Sequence, residues 1–413
     1  MAGENKVGNF RVLIVGANFE NKGAQSMLFI TVDEIKKRHP NSEVYYAGRD
    51  IFDEKLYAFH EFYYSEDAKN IGLGNKRKLL QIKCFIKDLI KILVGKHNNL
   101  FRYNEVKNTI ESINLIIDVS GFNLGRKWSI EIQESYLNNI RLAKKYNIPI
   151  IMMPQSFGSF DYPKDKEFLL PEIRELLKYP KIIFAREKEG YDMLIEQFGL
   201  TNVQLSTDLV LQNNGMDLSN IYKKPLEKMN FPRVETGSVA IIPNTQCFNH
   251  GDKEKNIQMY KDIISYIIEK GKTVYIFRHS KEDFPICELI ADQFDSKKVR
   301  LLNNEFSCVE YDEFVKQFDF VICSRFHGIV HAYRNYIPCI LLGWAIKYKE
   351  LAANVGQEQF AFDITDDSFD AMHVKEAIDV LLSGVEKEAE IIKEHVSEIQ
   401  KNNCFDKIAG YLV

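Results

Sequence analysis

The chain has 413 residues, 45% of them hydrophobic and 27% charged, with a formal net charge of −4. That length exceeds a single core and fits two domains of roughly 150–200 residues. The slight acidic balance argues against a nucleic-acid partner, which selects a basic surface.

The seven cysteines are scattered, form no Cys-x-x-Cys pair, and fall partly in apolar runs such as Val321-Ile322-Cys323. This is the usage of reduced core thiols in a cytoplasmic protein. Residues 1–10 are polar and contain no apolar signal region. No apolar run reaches the roughly 18 residues that a membrane-spanning helix needs.

In chain order, a β-branched run predicts a strand over 10–15, followed by a turn-rich loop to residue 21. A helix over 23–38 carries Met27, Leu28, Ile30 and Ile35, and a second strand covers 43–47. Strand, glycine loop, helix and strand open a doubly wound sheet. Further strands are expected over 115–119, 148–153, 181–185 and 203–206, with helices over 130–146, 171–178 and 189–198. Residues 213–237, rich in Asn, Gly, Lys and Pro, lose the rhythm and read as a linker. A second series starts with a strand over 238–242, a helix over 256–270 and a strand over 273–277. Strands over 299–302, 320–323 and 339–342 follow. Residues 365–368 resemble an N-cap before a helix over 369–382, and a charged helix over 385–400 closes the chain.

The expected architecture is α/β: two Rossmann-like doubly wound domains, 1–212 and 238–384, facing a cleft. The segment 385–413 is expected to pack back across them. Residues 75–107 stand apart, with nine Lys/Arg against Asp88 and Glu105. Ile82, Phe85, Ile86, Leu89, Ile90 and Leu93 fall on one helical face. The segment reads either as a basic helix on the anionic inner face of a membrane or as a sheet-packed helix with solvated lysines; the second is favoured.

Ligands of open α/β sheets bind beyond the carboxyl ends of strands. In the first half those positions hold Asn18, Asn21 and Gly23, then Ser120, Gly121 and Asn123, then Pro154-Gln155-Ser156-Phe157-Gly158, then Arg186. In the second half they hold Asn244, Arg278-His279 and Ser324-Arg325-Phe326-His327-Gly328. The last group is the most informative. A helix starting near Phe326 offers free N–H groups to an anion, and Arg325 adds a planar fork for phosphate or carboxylate. Gly328 lets the backbone approach a ligand. His327 is the side chain able to move a proton near neutral pH. A surface salt bridge would account for Arg325 alone, but not for the histidine and glycine beside it. His331, one turn on, raises a metal question, but no acidic residue lies between the histidines, and a packed His331 is the expectation. Neither a Gly-x-Ser-x-Gly elbow nor a Gly-x-x-x-x-Gly-Lys loop is present.

The ordered set of motifs from about residue 12 to 356 resembles the polysaccharide pyruvyl transferase family. Asn21-Lys22-Gly23-Ala24-Gln25 resembles its first glycine loop. Ser120-Gly121 resembles its Ser-Gly-Gly turn, with Phe122 in place of the second glycine. Pro154-Gln155-Ser156-Phe157-Gly158 resembles its Gln-Ser-x-Gly-Pro segment, with Ser159 replacing proline. Ala185-Arg186-Glu187, Thr207-Asp208 and the Arg325-x-His327 block with Pro338 and Lys347 complete the series.

The resemblance implies a GT-B-like fold, phosphoenolpyruvate as donor and a sugar diol as acceptor. The acceptor would be a surface-glycan precursor, lipid-diphosphate-linked in one form, and the product a cyclic ketal. No cofactor or metal is implied. His327 would be the acid, and Asp208, or less readily Asp118, the base. Arg325, Phe326, Gly328, Arg186 and His279 would bind the donor, and Asn21, Gly121, Asn123, Gln155 and Ser156 the acceptor. The competing readings are a GT-B glycosyltransferase using a nucleotide sugar and a non-catalytic glycan-assembly scaffold.

Overall fold

The computed structural model describes residues 9–48, 52–62 and 107–412, apart from 165, 228, 344, 345 and 367. The basic segment 75–107 therefore lies, except for its last residue, outside the described residues.

The first sheet contains β1 (Arg11–Val15), β2 (Glu43–Ala47), β3 (His60–Glu61), β4 (Leu115–Asp118), β5 (Ile150–Gln155), β6 (Ile182–Ala185) and β7 (Val203–Leu205). The second contains β8 (Val239–Ile242), β9 (Val274–Phe277), β10 (Val299–Leu302), β11 (Phe320–Cys323), β12 (Cys339–Gly343) and β13 (Ala361–Asp363). Their orders are β3-β2-β1-β4-β5-β6-β7 and β10-β9-β8-β11-β12-β13, and every pairing is parallel. Both sheets thus reverse direction at their first strand. The switch points lie between β1 and β4 and between β8 and β11, where ligands of such sheets bind.

The central strands β4, β5, β8, β9, β11 and β12 are buried at every position, covered on both faces, so apolar residues run continuously along them. Val12 and Ile14 face a core that continues into the second domain through Ala240, Ile242, Val321 and Cys323. Leu13 and Val15 face a separate core under the first sheet, and Ile241 and Ile322 a third under the second.

Helix α1 (Lys22–Arg38) lies between the two sheets and is buried at every position from Lys22 to Ile35. Its polar residues are therefore paired across the junction. Gln25 Oε1 accepts from the Cys308 N–H at 2.8 Å, Ser26 Oγ lies 3.1 Å from His331 Nε2, and Asp33 Oδ1 accepts from Asn220 Nδ2 at 2.9 Å.

Several sequence expectations shift. The strand over 148–153 runs on to Gln155, and its pairing with β6 slips between Met152 and Gln155, which accommodates Pro154, a residue with no N–H to give. The closing helices over 369–382 and 385–400 form one element, α3 (Ala371–Lys401), bent at Gly384, and its cap is Asp370 rather than residues 365–368. Val374, Ile378 and Leu381 of α3 belong to the second-domain core, whereas Ile392 and Val396 join the shared one. Beyond it, the Cys404 N–H donates to Gln212 Oε1 at 2.8 Å. Among the described residues, no helix is long and apolar enough to cross a membrane.

Candidate functional site

Helix α2 (Phe326–Arg334) begins one residue after Arg325, which caps it in an extended conformation but donates no side-chain acceptor to its N–H groups. The first-turn N–H groups and the positive end of the helix dipole are therefore available to an anion. The α1 N-terminus faces this point from the other domain. Asn21 caps α1 by accepting from the Gly23 N–H at 2.9 Å, and its backbone forms an antiparallel bridge with Ser280. Lys22 Nζ donates to the His279 carbonyl at 2.6 Å. The approach is so close that a Cβ on Gly23 would lie 2.0 Å from His327 Cγ; glycine is required there for space, not for a special backbone angle.

Between these helix ends lies a cavity of about 590 Å³, within the usual range for small-molecule sites. Lys127, Arg186, Arg325 and Lys347 line it, and Glu282 is the sole carboxylate among its described lining residues. The imidazole of His327 has 14% of its side-chain surface exposed, and its Nε2 stands 3.5 Å from Asp208 Oδ2. Burial lowers the His327 pKa below its ordinary value, against the pull of Asp208. Burial would raise the Asp208 carboxyl, but His327 and Arg186 hold it well below the usual carboxylate range. The resting pair is therefore a neutral imidazole beside a carboxylate.

The two arginines are both anchored. Arg186 donates from Nε to Glu187 at 2.8 Å, from Nη1 to Asp208 at 2.9 Å and from Nη2 to Ser156 at 2.6 Å. Its guanidinium carbon sits 4.2 Å from the Phe326 ring centre. Arg325 donates from Nε and Nη2 to Asp283 at 2.7 and 2.5 Å, and from Nη2 to Glu282. In both cases the terminal nitrogens keep further N–H groups. Lys347 Nζ lies 5.5 Å from the Phe122 ring centre and 5.3 Å from that of Phe326; burial, with Arg186 nearby, lowers its pKa to about 8.

A family model described as polysaccharide pyruvyl transferase matches residues 21–345. The chain belongs to this family. No curated protein matches the chain significantly. Among solved structures, UDP-GlcNAc 2-epimerase from Neisseria meningitidis bound to UDP-GlcNAc is 12% identical, with a TM-score of 0.55 over 98% of this chain and 99% of its own. The S. aureus MnaA–UDP co-structure is also 12% identical, with a TM-score of 0.55 over 98% of each chain. The α,α-trehalose 6-phosphate synthase of Burkholderia multivorans is 9% identical, with a TM-score of 0.53 over 98% of each chain. At these identities the likeness is one of fold: the GT-B type, two Rossmann-like domains around a cleft, as the family resemblance implies.

Of the residues singled out by sequence, Asn21, Gly121, Asn123, Arg186, His279, Arg325, Phe326 and His327 line the cavity of this family member. Gly121 adopts φ +71°, which glycine tolerates at no steric cost. Others are placed differently. Gly328 packs into the fold: a Cβ there would meet Cys323 Sγ at 2.7 Å, so it fits helix to strand and does not meet a ligand. Gln155 is buried, accepting from the Tyr136 hydroxyl at 2.9 Å, and does not line the cavity. Ser156 is buried beneath Arg186 and donates to Glu187 at 2.9 Å. Asp208 has 0% of its side chain exposed, which suits orienting His327 and not meeting an acceptor hydroxyl. Asp118 is equally buried, with its pKa raised by burial, and is bound to the Ser120 N–H and Asn139. His279 borders the cavity but is only 1% exposed, with both ring nitrogens enclosed. His331 has both ring nitrogens engaged, by Ser26 at 3.1 Å and Asp312 at 2.8 Å; it joins the domains.

Sequence reasoning passed over Lys127, Trp128 and Tyr348 as cavity residues. They sit one or more turns beyond strand ends, and no local pattern marks them.

Proposed function

We propose that the protein transfers pyruvate from phosphoenolpyruvate to a sugar diol of a surface-glycan precursor, forming a cyclic ketal and releasing phosphate. The observation that carries this reading is His327. It stands at the N-terminus of α2, backed by Asp208, in a cavity whose described charged lining is cationic apart from Glu282.

The donor is a small molecule with two anionic groups. The spare N–H groups of Arg325 and Arg186, the Lys347 ammonium and the α2 N-terminus offer it charge-assisted hydrogen bonds. His327 Nε2 is enclosed beside Asp208, so Nδ1 is the nitrogen that serves the donor. The donor's negative charge raises the His327 pKa back toward neutrality, so the imidazole is protonated in the loaded site. The proton passes from Nδ1 to C3, which becomes a methyl group. One acceptor hydroxyl adds to C2, the C2–O bond to phosphate breaks, and the second hydroxyl closes the ring. Of the two hydroxyl protons, one restores His327 and the other leaves with phosphate. Asp208 holds the ring in place and stabilises its charged form, as a buried carboxylate does behind a working imidazole. Residues from both domains exclude water around the intermediate. No resident cofactor enters this chemistry.

The test is to incubate the protein with phosphoenolpyruvate and a crude lipid-linked glycan, and to follow phosphate release and acceptor mass. Acceptor-dependent phosphate with the added pyruvate mass is expected, and His327→Ala should lose turnover while still binding phosphoenolpyruvate. Turnover with nucleotide sugars alone would overturn the reading in favour of a glycosyltransferase, and silence with every donor would favour a scaffold.

A further inference from the structure

A second cavity, of about 290 Å³, opens off the first through Gly16, Asn18, Ser120 and Asn123, which line both. Ser135, Tyr136 and Asn139 of the helix Ile130–Lys145 form its far side, and Ile132 its lip. Its described lining is opposite in character to that of the main cavity. No Lys, Arg, Asp, Glu or His appears among its described lining residues. The side chains of Asn123 and Ser135 hydrogen-bond to nothing among the described residues. Asn18 accepts from the Asn21 N–H at 2.8 Å, and Asn139 Nδ2 is held by Asp118 at 3.2 Å, which leaves the Asn18 amide N–H₂ and the Asn139 carbonyl oxygen for a ligand. On the main-cavity side stand Phe122 and Trp128, edge-on with ring centres 5.5 Å apart.

A described lining of amide and hydroxyl groups, an apolar lip and no charged side chain suits an uncharged, hydroxyl-rich ring. We infer that this cavity is a subsite for a second, neutral sugar residue of the acceptor, next to the one that receives the ketal. The acceptor is then a disaccharide or longer, with its reacting ring against Phe122 and Trp128. The inference rests on the pyruvyl-transfer reading only for the identity of the reacting ring.

Calorimetric titration without donor tests it, using disaccharides of glucose, galactose and N-acetylglucosamine against their component monosaccharides. At least one disaccharide should bind roughly tenfold more tightly than its components. Ser135→Trp fills the cavity, and Ile132→Trp blocks it independently from an exposed position; either should bring the ratio toward one. Equal affinities, no binding of any disaccharide, or a preference that survives both substitutions would overturn the subsite. Length preference without phosphate release from phosphoenolpyruvate would refute pyruvyl transfer and leave the subsite standing; phosphate release without length preference would do the reverse.

Discussion

Gly23→Ala probes how tightly the two domains hold His327. The added Cβ would lie 2.0 Å from Cγ and 2.2 Å from Nδ1 of the imidazole. Non-bonded carbons need roughly 3.5–4.0 Å, so about 1.5 Å of movement is required. The α1 backbone cannot easily supply it, because the bridge from Asn21 to Ser280 and the Lys22 bond to the His279 carbonyl pin this end. The α2 backbone is held by the close packing of Gly328 on Cys323. The imidazole itself must therefore shift from its place beside Asp208. A misplacement of about 1 Å costs on the order of 10² in rate, so kcat for phosphate release should fall by roughly that factor or more. Overpacking should cost about 1–3 kcal/mol of stability, leaving the protein folded. Steady-state phosphate release and the NMR resonances of His327 read the two effects. A Gly23→Ala protein with wild-type kcat and an unmoved His327 resonance would refute the reasoning.

The remaining predictions concern charge. Asp208→Asn removes the charge that raises the His327 pKa, so that pKa should fall further. Activity that needs protonated His327 is lost as pH rises through its pKa; the basic limb of kcat/KM should therefore move to lower pH, with kcat down by about 10²–10⁴. A limb that stays in place in the pH–rate profile contradicts this role. Lys347 is charged below about 8, so affinity for phosphoenolpyruvate should weaken as pH rises through that value. In Lys347→Met it should be weaker throughout and flat across that range, as titration at several pH values would show. Asp312 is held at about 2 by His331 and Arg334 although burial opposes them. A depressed carboxylate stabilises the fold above its unfolded pKa, and that contribution is lost as pH falls through its folded one. Asp312→Asn should therefore cost about 2 kcal/mol at pH 7 and much less near pH 2. Equal losses in urea melts at both pH values would exclude the ion pairs as the cause.

The strands and most of the site are legible in the sequence because both are written locally. Parallel strands buried on two faces appear as short apolar runs, and the loops at their carboxyl ends follow directly, which is how Asn21, Gly121, Arg186 and Arg325-x-His327 come into view. β3 and β13, at the edges of their sheets, are too short to leave such a signature. The sequence alone does not locate the cap of α3, because Asp366 and Asp370 both stand where caps occur and only the backbone selects Asp370.

What the sequence determined by itself is a doubly wound pair of domains and a histidine at a helix start beside an arginine. The tertiary structure decided what those groups are bonded to. Asp208 is 119 residues from His327 in the chain, yet it lies against that ring and also holds Arg186. Arg325 is anchored by Asp283, Gln155 and Ser156 turn inward, and Gly23 has no room for a Cβ because α2 of the other domain fills the space. Sequence spacing carries the direction of a side chain along its own strand or helix. Pairing between distant segments depends on how two sheets stack around α1, and no local pattern encodes that.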